Sequence, residues 1–347
     1  MREDRLMAGT MAPLYRRTPV FVLLSSLAAS FVVAAADKLP SIPAAYQLSA
    51  RIALGEGKRW DYLLVEDATR RLYLAHGDAV DVVDLGTRRL VGRIGGLRGT
   101  HGVAVAREFG RGYISDGKSD SVVVFDLSTL ARVRTIAVGR NPDAIVFDPA
   151  SKRIAVFNGG THDASILDAA SGDVIAASVE LGGKPEFSRV DGSGHAYVNI
   201  EDTAEIVDLD LQQARVHRRY SIAPCVEPTG LAIDGHSRLY SVCANHLMII
   251  SDPAGGTVLG RAPIGARPDG VVFDDGFAYS ANGGDGTISV VGEPRPGSFA
   301  TVRTIASQPG ARTIDVEART HALYLPAAGA SGTPSASELE LLVFTRL

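Results

Sequence analysis

Apolar and polar residues alternate along most of the chain in short runs broken by Gly, Asn, Asp and Pro. That two-residue period belongs to half-buried strands rather than helices. Residues 141–149 (NPDAIVFDP) show the unit most plainly: a turn residue, two variable positions, an alternating apolar run, and an acid six positions after the start. The plan recurs from Pro142 to Asp148, Pro185 to Asp191, Pro228 to Asp234, Pro268 to Asp274 and Pro309 to Asp315, after two degenerate copies, Trp60 to Glu66 and Thr100 to Ala106. The steps between these anchors are 40, 42, 43, 43, 40 and 41 residues. A steady period in the low forties is the signature of a blade array.

Each unit reads as four strands. In the third, AIVFD, RIAVF, ASILDA and VIAASVEL follow one another, separated by turn residues. Four-stranded units repeated around an axis form a β-propeller, which leaves only short edges exposed. Seven anchors predict seven blades, and hence an all-β fold. The seventh unit ends at ELELLVFTRL, one strand short, and residues 46–54 (YQLSARIAL) precede the first unit. The N-terminal strand is therefore expected to complete the last blade and close the ring.

The stretches RLYLAHGDAVDVVDLGTRRLVGRI, GYISDGKSDSVVVFDLSTLARVRTIAVGRNPDAIVFDP and YVNIEDTAEIVDL resemble the YVTN-repeat, YncE-like seven-bladed propellers, YVNI at 197–200 standing closest to the motif itself. The resemblance extends over nearly all the chain after residue 36. It implies an exported bacterial propeller of a family that includes ligand-binding and surface proteins and a single-stranded-DNA binder.

The first residues do not fit the repeat. Arg16 and Arg17 precede an apolar run at 20–33, which ends in three alanines before Asp37. This is the layout of a secretory signal peptide, expected over 1–36, leaving 37–347 as one propeller domain. The run is too short to span a membrane with confidence, so no membrane association is expected after cleavage. Cys225 and Cys243 are the two cysteines; in an exported chain such a pair is expected to form a disulfide. A formal charge of −4, with no clustered Lys and Arg, argues against nucleic acid as a partner.

In a propeller, the loops leading into the first strand of each blade and those joining the second to the third open on one face. The position after each anchor supplies Asp61, His101, Asp143, Glu186, Thr229, Asp269 and Gly310, and the second set of loops adds His76, Asp116, Asn158, Asn199, Asn245 and Asn282. Lys58, Arg59, Arg98, Arg140, Lys184, Arg267 and Arg312 flank them. The channel mouth should thus carry a ring of acids and histidines interleaved with bases. Such side chains either cap neighbouring turns or bind a ligand. Carboxylates suit Ca²⁺ or Mg²⁺, and His76 with His101 and Asp61 would suit a transition metal, although no local spacing such as HExxH marks a dedicated metal site. Trp60, where other units carry Pro, either stacks on a ligand or fills a blade junction. The loop at 327–337 is expected to overhang the same face, as a lid or as a variable insertion. No GxSxG motif and no phosphate loop is present.

These readings converge on an exported, monomeric module. It would bind a small polar ligand or a protein partner through Trp60, Asp61, His76, His101, Asp143, Glu186, Arg267, Asp269 and Arg312. A metal-dependent propeller enzyme of lactonase or lyase type at the same mouth is the alternative, and single-stranded-DNA binding fits less well. No cofactor is specified.

Overall fold

The computed structural model describes residues 45–57, 59–329 and 338–347. The expected signal peptide and most of the loop at 327–337 lie outside them. Seven four-stranded antiparallel sheets follow one another around a ring. Each runs A-B-C-D outward from the axis. In blade 3 the order is Pro142–Asp148, Arg153–Asn158, Asp163–Asp168 and Val174–Glu180. Blade 7 is composite. Its strands A, B and C are Asp315–Glu317, Ala322–Ala328 and Glu338–Arg346, and its outermost strand is Tyr46–Glu56 from the other end of the chain. The circle closes by this clasp, as the truncated last unit predicts.

The alternating pattern is spent between blades. Tyr73, Val80 and Val82 of blade 1 pack on Val103, Ile114 and Phe125 of blade 2; Ile52, Leu54, Tyr324 and Leu341 of blade 7 pack on Leu72 and Leu74 of blade 1. Strand C tends to end in an acid that caps the turn to strand D. Asp126 Oδ1 accepts from the N–H groups of Ser128 and Thr129, and Asp168 Oδ1 from those of Ala170 and Ser171. The recurrent Asp after the apolar run of strand C is therefore turn chemistry. Cys225 and Cys243 form a disulfide, with Cα atoms 5.4 Å apart, at the end of one hairpin of blade 5. No helix among the described residues is long and apolar enough to cross a membrane.

The repeat register is corrected in blade 7. The carboxylate that sits at the end of strand A and holds the A–B turn is Glu317, which accepts from Thr320 Oγ1, so the anchor is Ala311 and not Pro309. A backbone bond confirms the offset. Gly270 N donates to Arg312 O just as Tyr62 N donates to His101 O one blade junction away. Gly310 thus drops out of the channel ring and Arg312 takes its place.

Candidate functional site at the channel mouth

Strand A carries the site because its pairing with strand B breaks just after the anchor. Register shifts fall between Thr100 and Val103, Pro142 and Ile145, Pro185 and Ser188, and Pro228 and Leu231. A bulge of this kind re-aims side chains at a sheet end. In these blades it turns the residue after the anchor toward the axis, whereas Asp61 and Arg312 precede the shorter strands A of blades 1 and 7, Leu63–Glu66 and Asp315–Glu317. The ring of seven is Asp61, His101, Asp143, Glu186, Thr229, Asp269 and Arg312.

His101 is its centre. His101 Nδ1 donates to Asp61 Oδ2 at 2.6 Å and stands 3.6 Å from Asp143 Oδ1. The other edge of the imidazole lies on the backbone of Gly117, where a Cβ would come within 2.7 Å of Nε2. Burial opposes the imidazolium, but the Asp61 hydrogen bond and the Asp143 charge prevail and raise its pKa to about 9. Burial and the Asp61 charge push Asp143 up to about 7. Burial and the Asp143 charge push Glu186 up to about 8, against the pull of Lys184. Asp143 Oδ1 is shielded from solvent and has no hydrogen-bond partner among the described residues. Potential donor atoms of Asp61, His101 and Asp143 all lie within 4.8 Å of one another.

Bases tie down the rest of the ring. Lys184 Nζ donates to Glu186 at 2.7 Å and also to Glu201. Arg312 Nε donates to Asp269 at 2.7 Å, its Nη2 donates to Trp60 O at 3.0 Å, and the guanidinium stands 5.4 Å from the centre of the Trp60 ring. Trp60 itself packs into the junction between blades 7 and 1, with its indole N–H buried and unpartnered among the described residues.

Two of the expected residues do not join this group. His76 is buried in blade 1 and donates to Asp81 Oδ2 at 2.7 Å; Arg93 Nε donates to Asp81 Oδ1 at 2.6 Å. Those contacts run across the strands of one blade and explain His76 without a ligand. Arg267 is exposed beside the anchor Pro268, and its carbonyl accepts from Gly283 N. Polar residues at the B–C ends are engaged by backbone, either of the neighbouring blade or of an adjoining loop. Asn199 Nδ2 donates to the carbonyls of Thr229 and Gly230, and Asp116 Oδ1 accepts from Arg98 N and Gly99 N.

Beneath the ring runs a channel of about 250 Å³ lined by strands A of blades 1 to 4. Its upper part holds Tyr62 and Phe187, edge to face with centroids 4.7 Å apart. Burial and then the charges of Asp143 and Glu186 raise the Tyr62 pKa, so this phenol stays neutral beside the acids. Tyr62 and Phe187 share one repeat position, two after the anchor, where other blades carry Gly, Ala or Thr. Alignment of the anchors could have singled them out.

No protein-family model matches the sequence, and no curated protein matches it. Among solved structures, a chain of the Kuenenia stuttgartiensis hydrazine synthase is similar, with a TM-score of 0.66 at 16% identity, over 78% of this chain and 93% of that one. At that identity the likeness concerns the propeller fold.

Proposed function

We propose that this propeller is an exported binding module of the YVTN-repeat type that holds a small, positively charged or hydrogen-bond-donating ligand at the acidic mouth of its channel. One observation carries the reading. Among the described residues Asp143 Oδ1 is closed off from water and accepts no hydrogen bond, with His101 Nδ1 standing off at 3.6 Å, a condition that costs free energy unless a closer donor fills it. Burial and then the Asp61 charge push Asp143 toward its protonated form, and an incoming cation relieves the repulsion between the two carboxylates. The disulfide fits an oxidising compartment outside the cytosol.

A second reading shares the site. Asp61, His101 and Asp143 offer two oxygens and one nitrogen at a spacing a divalent cation can bridge. Such a cation would polarise a bound carbonyl and support hydrolytic or elimination chemistry.

Thermal shift separates the two. Methylamine and putrescine, then Ca²⁺, Mn²⁺ and Zn²⁺, are added to the protein after EDTA treatment. A ligand that binds the folded state at about 100 times its Kd stabilises by roughly 2.7 kcal/mol. The amines are expected to raise the melting temperature of the wild type and not of Asp143→Asn. A response confined to a metal ion favours the second reading, and no response to either class removes both.

A further inference from the structure

The interior of the channel holds a charge that the mouth does not use. Arg189 lies on strand A of blade 4 (Pro185–Val190), three residues past Glu186 and so roughly 10 Å deeper along the strand. It lines the channel beside Tyr62, Leu64, Val105, Phe147 and Phe187. Its guanidinium stacks 4.5 Å from the centre of the Phe187 ring. Among the described residues no carboxylate comes within ion-pair distance of it and no acceptor takes any of its N–H groups. Burial pulls its pKa below the ordinary guanidinium value.

The nearby acids are occupied. Glu66 accepts from Thr69 and from Arg107 Nη1. Asp315 Oδ2 accepts from Val65 N at 2.7 Å, and its Oδ1 from Val316 N at 2.9 Å. Asp315 shares with Arg189 the position four after the anchor, which is Leu64, Ala104, Val146, Ala232 and Val272 in the other blades. The repeat thus makes this level of the channel apolar and departs from the rule with one acid, engaged by backbone, and one unengaged cation. A guanidinium presents five donors in a fixed fork suited to a carboxylate. Half-buried and without an acceptor among the described residues, it is open to one that enters the channel.

We propose that Arg189 is the anchor of a second site inside the channel, which takes the carboxylate of a small ligand with an apolar body. The carboxylate meets the guanidinium on the side away from Asp315, and the body lies against Leu64, Val105 and Phe147. The volume of about 250 Å³ lies just below the usual range for ligand pockets, about 300–1,000 Å³, so the body is short.

Hexanoate, acetate and hexylamine serve as probes of the whole purified protein by thermal shift, with calorimetric titration for those that respond. Hexanoate is expected to raise the melting temperature by roughly 5 °C at about 100 times its Kd, acetate much less, and hexylamine not at this site. Arg189→Met should abolish the hexanoate response, and Asp61→Asn, at the mouth, should retain it. If Arg189→Met does not fold, Arg189→Lys, which keeps the charge but not the fork, should weaken hexanoate at least tenfold. The proposal is overturned by no response to hexanoate, by an undiminished response in both Arg189 variants, or by an equal response to acetate. A hexanoate effect lost in Asp61→Asn but kept in Arg189→Met would assign it to the mouth and overturn the proposal as well.

Discussion

A chain that begins at Gly57 is expected to lose cooperative folding, whereas one that begins at Ala45 should retain it. The difference is the strand Tyr46–Glu56, the outermost of blade 7, which pairs with Glu338–Arg346 along nearly its whole length. It places Ile52 and Leu54 in the core between blades 7 and 1, and Tyr46 in the core between blades 6 and 7. Burial of three such side chains is worth roughly 6 kcal/mol, comparable to the entire stability of a marginal domain, about 5–15 kcal/mol. Tyr46 Oη also donates to His321 O at 2.9 Å. Its removal leaves a long apolar strand as an open edge, a template for aggregation. Circular dichroism melts and size exclusion of the two chains provide the check. A cooperative melt of the shorter chain within a few degrees of the longer would show that the clasp is dispensable.

The second large effect is on the pH profile. Asp143 and Glu186 hold protons in the folded protein up to about pH 7 and 8, well above their ordinary values of 3.8 and 4.5. Over that interval the folded state binds more protons than the unfolded one, so stability falls as pH rises. His101 acts with the same sign. Its contribution is complete below 6.5 and is lost as pH passes about 9. Opposing groups, such as Asp81 held low against burial by His76 and Arg93, lose their contribution only as pH drops into the carboxylate range. Stability should therefore peak in mild acid and decline toward pH 9. Asp143→Asn removes one of the raised carboxyls while keeping its shape, and its gain over the wild type should be about 3 kcal/mol larger at pH 8.5 than at pH 5. Urea titrations at the two pH values measure this. An equal change at both would mean that the repulsion among the mouth acids is not what sets the slope.

How far these features could be read from sequence depends on whether they repeat. Anchors about forty residues apart carry the blades, the clasp and the acid ring, because each arises from one position copied around an axis. Pro309 misled the seventh register, since it imitates the prolines at 142, 185, 228 and 268, while the structural role falls on Ala311. Two residues of error were enough to hide both the place of Arg312 in the ring and the fact that Arg189 and Asp315 share one repeat position. His76 stands apart from the ring for another reason. Its partners Asp81 and Arg93 lie across strands of the same blade, a relation that a ring argument does not contain. The link from Lys184 to Glu201 likewise joins a loop to the far end of a neighbouring strand, and a count of charges near each anchor does not reveal it.

The central claim is that the Asp143 oxygen that accepts no hydrogen bond among the described residues marks the seat of a ligand. Crystal structures of the protein grown at pH 8 with putrescine and, separately, with Mn²⁺ test it most directly. The account predicts density for one of them in contact with Asp143 Oδ1 and bridging toward Asp61. A mouth containing only water in both crystals, with Asp143 hydrogen-bonded to that water, would contradict it.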